Sequence, residues 1–221
     1  PCSLMSVVPA PAEAVSAVQD AASFQAATDA SDAQMADLER FLSLLTAGNA
    51  VMNLVGPATI PAFWNRHAWD SAQLLRLAPE ARVWADLGAG AGFPGLVLAI
   101  LLKDVPGARV HLVESMAKRC RFLSQVSEAL SLPVTIHNKR AEDLSLTVDI
   151  VTARACAPMT RLLGYAKPYL TRGATGLFLK GQDVVSEIAD ATTSWKFSHR
   201  LIESLSDPRG RIVEVKGLSR V

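Results

Sequence analysis

Two carboxylates and a run of glycines carry the plainest chemistry in this sequence. Asp86 stands two residues ahead of Gly88, glycines recur at 90, 92 and 95, and Glu114 follows downstream. Glycine lets a backbone turn sharply and come close to a ligand, and the start of a helix offers unpaired N–H groups. A carboxylate beyond such a loop suits the hydroxyls of a ribose. Together they predict a site that holds a nucleotide-like molecule. Other residues of types that could do chemistry are Asn53, Arg66-His67-x-x-Asp70-Ser71, Lys118, Arg140, Arg154, Cys156 and Lys180. Of these, the Arg66 to Ser71 group sits just ahead of the glycine loop, where an appended helix could help close a substrate site.

The elements that must position these residues alternate in type. Val83 to Leu87 reads as a buried strand feeding the glycine loop, and Leu96 to Leu102 as the helix behind it. Pro94 suits a first helical turn, where a missing N–H costs little. Val110 to Val113 is a second strand ending at Glu114. A helix follows from Lys118 to about Leu130, with Phe122, Leu123 and Val126 packing inward and the cations outward. Val134 to His137 and Asp149 to Thr152 are further strands, the latter leading into Arg154. Met159 to Tyr165 is helical, Ala174 to Lys180 a fifth strand, and Val184 to Ala191 another helix. Trp195 to Leu205 and Arg211 to Val215 alternate apolar and polar residues around Asp207-Pro208-Arg209-Gly210, which predicts an antiparallel hairpin.

Ahead of the loop, Ser31 or Asp32 caps a helix carrying Met35, Leu38, Phe41, Leu42 and Leu45, with Gly48 as its end. Ile60 to Leu77 predicts one or two more helices with Trp64, Trp69, Leu74 and Leu75 facing inward. Helices between strands place the chain in the α/β class with a mostly parallel sheet.

Composition narrows the choices. The 221 residues are half hydrophobic, enough for one α/β domain and a small appendage. The longest apolar run, Phe93 to Leu102, is too short to span a bilayer. The first 39 residues contain no Lys or Arg, which argues against secretory or organellar targeting. Cys2, Cys120 and Cys156 are odd in number and lack C-x-x-C spacing, so neither a disulfide frame nor zinc is indicated. A reducing, cytoplasmic setting is expected. The net charge of +1 conceals a gradient: net −5 over residues 1–57, +1 over 58–150 and +5 over 151–221. A basic C-terminal part could face nucleic acid phosphates or be a solvated surface; charge alone does not choose.

The loop itself supports two readings. Gly90-x-Gly92-x-x-Gly95, with Glu114 downstream, fits the dinucleotide fingerprint. Asp86-x-Gly88-x-Gly90-x-Gly92 resembles the first motif of S-adenosylmethionine-dependent methyltransferases of Rossmann-like fold. A dehydrogenase normally needs a second domain for its substrate, whereas the sequence ends its sheet in a hairpin, as that methyltransferase fold does. Methyl transfer is the reading that results.

The full set of motifs resembles one family, the bacterial small-subunit ribosomal RNA guanine-N7 methyltransferases called RsmG or GidB. The resemblance runs from about Met35 to Lys216 on Asn53-Leu54, Arg66-His67-x-x-Asp70-Ser71, Asp86 to Gly95, Glu114-Ser115-x-x-Lys118-Arg119-x-x-Phe122-Leu123, Arg140-x-Glu142, Arg154-Ala155 and Leu179-Lys180-Gly181. It implies a class I S-adenosylmethionine-dependent methyltransferase fold: a mostly parallel seven-stranded sheet with a C-terminal antiparallel hairpin, preceded by a helical extension. The expected division is a mobile leader at 1–31, a helical extension at 32–80 and the methyltransferase domain at 81–221, with a helix near Ala12 to Ala27 as the leader's one element.

The resemblance also implies roles. Asp86, Gly88, Gly90, Gly92 and Phe93 would hold the methionine moiety and lie against the adenosine of S-adenosyl-L-methionine. Glu114 would take the ribose, Ala141 and Glu142 would border the adenine, and Arg154 would stand between cofactor and substrate. Asn53, Arg66, His67, Lys118 and Lys180 would face RNA. Three departures from the family pattern stand out: Glu114 where Asp is usual, Cys156 where an aromatic residue is common, and the Ala-rich leader.

Guanine N7 is a lone-pair nucleophile with no proton to lose, so its methylation needs positioning rather than a general base. Arg140 and Arg154 are the expected substrate-orienting residues, a surface ion pair being the alternative for each. Cys156 lacks the preceding proline of cytosine-C5 methyltransferases and reads as a packing residue. His111, inside a strand, reads as structural. The expected partner is 16S rRNA within the 30S subunit or an assembly intermediate, with no metal, no membrane, a monomeric chain and S-adenosyl-L-homocysteine as product.

Overall fold

The structure, a computed structural model, describes residues 7–8 and 18–221. In chain order its regular elements are β1 (Val7–Val8), α1 (Ala21–Thr28), α2 (Asp32–Met52), α3 (Asp70–Leu77), β2 (Val83–Leu87), α4 (Gly95–Leu101), β3 (Arg109–Val113), α5 (Ala117–Leu130), β4 (Val134–His137), β5 (Ile150–Arg154), α6 (Met159–Leu170), β6 (Thr175–Lys180), α7 (Val184–Thr192), β7 (Trp195–Glu203) and β8 (Arg211–Arg220). A π-helical turn, Trp64–Trp69, runs directly into α3.

One sheet holds every strand, in the order β1-β7-β8-β6-β5-β2-β3-β4. Strands β2 to β6 are parallel, β8 runs antiparallel to β6, and β7 antiparallel to β8. From β2 the chain winds one way to β3 and β4, then crosses to β5 and β6. The order therefore reverses beside β2, and in such sheets ligands bind at the carboxyl ends of the strands flanking that reversal.

Side chains alternate across the sheet into two cores. Trp84, Leu112, Leu177 and Ile212 meet α2, α3, α4 and α5 on one face. Ala85, Val151, Phe178 and Val213 meet α6 and α7 on the other. Asp86 and Thr152 are register partners on adjacent strands, and both are fully buried. Among the described residues no helix is long and apolar enough to cross a membrane.

The seven strands expected from the sequence are all present, and β1 adds an eighth by pairing parallel to β7 through Val7 and Val8. That strand covers backbone groups that β7 would otherwise leave unpaired at the edge. The expectation of a mobile leader reaching residue 31 needs correction. Asp20 caps α1, accepting the Ser23 N–H at 2.8 Å. Phe24 is buried, with its ring 5.4 Å from that of Trp64. Residues 18–31 thus fold onto the helical extension because Val18 and Phe24 supply apolar side chains to a tryptophan-bearing face. The rest of that stretch, including the part of the anticipated helix before residue 18, lies outside the described residues except for β1.

Helix α2 also runs further than its sequence predicts. Ser31 and Gln34 cap each other's backbone at its start, as expected. Gly48, the anticipated stop, lies inside the helix, and the chain turns instead at Asn53, whose φ is +49°. A Cβ on Gly48 would lie 2.9 Å from Phe122 Cε2, so this glycine serves the close approach of α5 rather than a turn.

Candidate functional site

The carboxyl ends of β2, β5 and β6 open into a cleft of about 680 Å³. Its floor is the loop between β2 and α4. Gly88 and Ala89 donate their N–H groups to Val113 O, at 2.8 and 3.1 Å, which fastens the loop to the neighbouring strand. Gly88, Gly90 and Gly92 have φ of +70°, +54° and +96°, a region that side chains strongly disfavour.

Each carboxylate braces one end of the loop. Glu114 accepts the Gly90 N–H at 3.0 Å through Oε2 and the Met116 N–H at 2.8 Å through Oε1. Each of its oxygens keeps a lone pair for a further donor. Asp86 lies beneath the loop rather than in the cleft wall. Its Oδ2 accepts the Gly95 N–H at 2.9 Å, while its buried Oδ1 has no partner among the described residues. Burial raises its carboxyl to about 7, with Glu114 adding to the rise; the Gly95 N–H and the charge of Arg154 oppose it.

Gly95 shows how tightly this end is packed. A Cβ there would lie 2.2 Å from Leu112 Cδ2 and 2.8 Å from Asp86 Oδ2. Overpacking of this kind costs about 1–3 kcal/mol, more than the helix propensity alanine brings. Gly95→Ala is therefore expected to lower the unfolding free energy, with a smaller denaturant midpoint in chemical denaturation as the check.

Opposite the loop, an arginine is held by several partners at once. Arg154 donates through Nη1 to Arg66 O at 2.8 Å and to Asp70 Oδ2 at 3.2 Å. Its Nη2 lies 2.9 Å from His67 Nδ1, and its Cζ is 4.8 Å from the centre of the Phe93 ring. The next residue, Ala155, has φ of +49°, a strained turn for a side-chain-bearing residue and one that often accompanies function. His67 stacks on Phe93 at 4.5 Å, with ring planes 18° apart. Burial, with the charges of Arg154 and Arg66 adding to it, pushes His67 down to about 3. The ring is thus neutral. Because Arg154 can only donate, Nδ1 accepts and Nε2 carries the proton, donating to Thr59 Oγ1 at 2.9 Å.

The cleft brings together many of the residues singled out by sequence. Gly88, Gly90, Phe93, Arg66, His67, Arg154 and Lys180 line it, with Asp86 and Gly92 behind its floor and Glu114 bonded to the loop. Lys180 does not project freely: its Nζ donates to Ala157 O at 3.0 Å and pairs with Glu187. Arg140 is placed elsewhere, in an exposed ion pair 3.8 Å from Glu142 Oε1. Lys118, Asn53, Ala141 and Glu142 are likewise outside the lining. Asn53 instead turns the end of α2, a conformation its short amide side chain tolerates.

Two arginines that sequence reasoning passed over do line the cleft. Arg119, beside the exposed Lys118, comes within 3.7 Å of Glu114 Oε2 from the first turn of α5. Arg211 opens β8 and donates to Pro208 O and Gly210 O at 2.9 and 2.7 Å. Helical phase from the end of β3 could have singled out Arg119. Nothing local marks Arg211, which only the hairpin's return delivers. Cys156 packs under the loop: a Cβ on Gly88 would lie 2.8 Å from its Sγ. Burial raises its thiol, with the charges of Asp86 and Glu114 contributing, so it is not a thiolate nucleophile.

Comparison with known proteins places these features in context. The model of the GidB family, described as rRNA small subunit methyltransferase G, matches residues 34–216. The ribosomal RNA small subunit methyltransferase G of Caulobacter sp. (strain K31) is 68% identical over 202 residues, covering 91% of each chain. A crystal structure of a SAM-dependent methyltransferase from Aquifex aeolicus superposes with a TM-score of 0.55 at 14% identity, covering 76% of this chain and 97% of its own. A mutant of MtNAS in complex with S-adenosylmethionine superposes with a TM-score of 0.53 at 16% identity, covering 90% and 84%. At such identities these two solved structures establish the fold alone.

Proposed function

The chain belongs to the GidB family, the rRNA small subunit methyltransferases G, and on that footing we propose that it transfers the methyl group of S-adenosyl-L-methionine to N7 of a guanine in 16S rRNA. S-adenosyl-L-homocysteine leaves as the product. The observation that carries the choice of atom is the commitment of every side-chain base beside Phe93. His67 spends Nδ1 on Arg154, and Asp70 spends its oxygens on Arg154 and Ser206. A substrate side on which His67 and Asp70 are both held by Arg154 suits a nucleophile that has no proton to give up.

The residues present fit the methyl donor. Glu114 offers remaining lone pairs to a ribose diol from a position fixed by two backbone N–H groups. Asp86, with one unpartnered oxygen beneath the loop, supplies negative charge that complements a cationic ligand. Gly88, Gly90 and Gly92 let the backbone approach that ligand, and Phe93 gives it an apolar edge. Bound there, the donor supplies an electrophilic methyl on sulfonium. Its transfer to N7 would carry positive charge from sulfur to the purine and leave S-adenosyl-L-homocysteine.

The chain's own work is alignment. Arg154 orients the guanine through O6 or a flanking phosphate, with His67, Asp70 and Phe93 fixing its direction. Arg66, Arg119, Lys180 and Arg211 line the side of the cleft that receives RNA, Lys118, Arg140 and Asn53 lie outside it, and a guanine in structured RNA must be exposed or flipped out to reach the cleft. We assign the reaction to the 30S subunit or an assembly intermediate in the cytoplasm, catalysed by a monomer.

Mass-spectrometric mapping of 16S rRNA from cells with and without this protein tests the reading. One guanine should lose its N7 methyl group when the protein is absent. An unchanged methylation map would overturn the substrate. Calorimetry should show binding of S-adenosyl-L-homocysteine and none of NAD; the reverse result would restore the dinucleotide reading.

A further inference from the structure

The hairpin turn between β7 and β8 forms one wall of the cleft through Ser204, Ser206, Asp207, Pro208, Gly210 and Arg211. It begins at Ser204, 131 residues beyond the Gln73 that grips it. Gln73, on α3, is 2% exposed, and both ends of its amide reach this turn. Its Oε1 accepts the Leu205 N–H at 2.8 Å, and its Nε2 lies 3.1 Å from Ser204 Oγ and 3.1 Å from Asp70 O. Trp69 Nε1 donates to Leu205 O at 3.3 Å. Ser206 Oγ donates to Asp70 Oδ1 at 2.6 Å, while Asp70 Oδ2 takes Arg154.

One carboxylate therefore joins the turn to the arginine. From this we propose that Asp70, Gln73 and Ser206 are positioning residues that set the RNA-facing wall and the aim of Arg154 as a single unit. Asp70 holds Arg154 with one oxygen and the turn with the other, so the wall cannot swing away without releasing a partner of the arginine. Gln73 keeps the turn's backbone within reach of that carboxylate. Among the described residues, no hydrogen bond joins Asp70, Gln73 or Ser206 to the glycine loop or Glu114, so loss of the latch should leave the carboxylate and backbone groups of the donor's site in place. The inference rests on the proposed action on small-subunit rRNA, because the wall matters only if RNA enters beside it.

The test compares wild-type protein with Ser206→Ala, Ser206→Thr and Gln73→Leu. The readouts are transfer of tritiated methyl from labelled donor to 30S subunits lacking the modification, calorimetric affinity for S-adenosyl-L-homocysteine, and the melting temperature. A hydrogen bond to a charged group is worth enough that Ser206→Ala should raise the KM for the subunit about tenfold. Affinity for S-adenosyl-L-homocysteine should stay at the wild-type value. Ser206→Thr should recover most of the loss because it keeps the hydroxyl, and Gln73→Leu should reproduce the raised KM. Wild-type kinetics in Ser206→Ala would overturn the proposal. So would parallel losses of nucleoside affinity and melting temperature, which would mark the contact as scaffolding. Absence of transfer by the wild-type protein would instead refute the action on small-subunit rRNA, whatever the variants do.

Discussion

Asp86→Asn is expected to flatten the pH dependence of stability and to weaken the hold on the methyl donor. In the folded chain Asp86 ionises only near pH 7, whereas in the unfolded chain it ionises in the ordinary carboxylate range. Between those limits the folded state binds the extra proton, so the stability linked to this group is fully present at acid pH. It is lost as pH rises through about 7. The asparagine keeps an acceptor for the Gly95 N–H and has no charge to bury. Its unfolding free energy relative to wild type should therefore climb by a few kcal/mol from about pH 4 to pH 8, as read by denaturant titrations across that range.

The same carboxylate has an opposite value for ligand binding. A cationic donor above the loop favours the ionised form, so wild-type affinity should strengthen from pH 6 to pH 8. The neutral variant should bind about tenfold more weakly at the upper end, consistent with the worth of an interaction with a charged group. Calorimetry with the donor at several pH values checks both. A variant that bound as tightly as wild type at pH 8 would remove Asp86 from the donor site.

Arg154→Ala carries the largest effect on turnover. Truncation would strand the Asp70 carboxylate, His67 Nδ1 and Arg66 O, all partners of one guanidinium. The side chain is about one-fifth exposed, so water relieves part of that cost and the expected loss of stability is about 2 kcal/mol. Misplacing a reacting base by an ångström costs on the order of a hundredfold, and loss of methyl transfer should be at least that large. Arg154→Lys should recover little, because an ammonium cannot serve several directions with a planar fork. His67, relieved of one neighbouring charge, should titrate at higher pH than in wild type, which its NMR chemical shift would report. Retained kcat in a folded Arg154→Ala protein would exclude the orienting role.

The sequence made the cofactor end of the site far more legible than the substrate end. Asp86, the glycines and Glu114 are close in sequence or fixed by strand register, so local motif and element order suffice to bring them together. The bond from Gly90 to Glu114 follows from two adjacent parallel strands ending level. Arg154 could likewise be placed by its position at the end of β5. Arg140 and Lys118 share the charge and neighbourhood of rim residues but point into solvent, a matter of side-chain direction that composition does not encode. Arg211 and the turn at Ser204 arrive through the closing hairpin, and no local pattern announces where that hairpin meets α3. Gly48 misled for a related reason: its missing side chain answers to Phe122, which lies 74 residues later in the chain.

The docking of the amino-terminal segment reaches into the chemistry by mechanical means. Asn65, inside the π-helical turn, donates to Val18 O at 2.9 Å, and the neighbouring Trp64 packs on Phe24. That short turn also carries Arg66 and His67, two of the three residues that receive the guanidinium of Arg154. A load hung on the front of the chain, whether a fused cargo or a tether, would therefore be transmitted through a single helical coil to the group that aims the guanine.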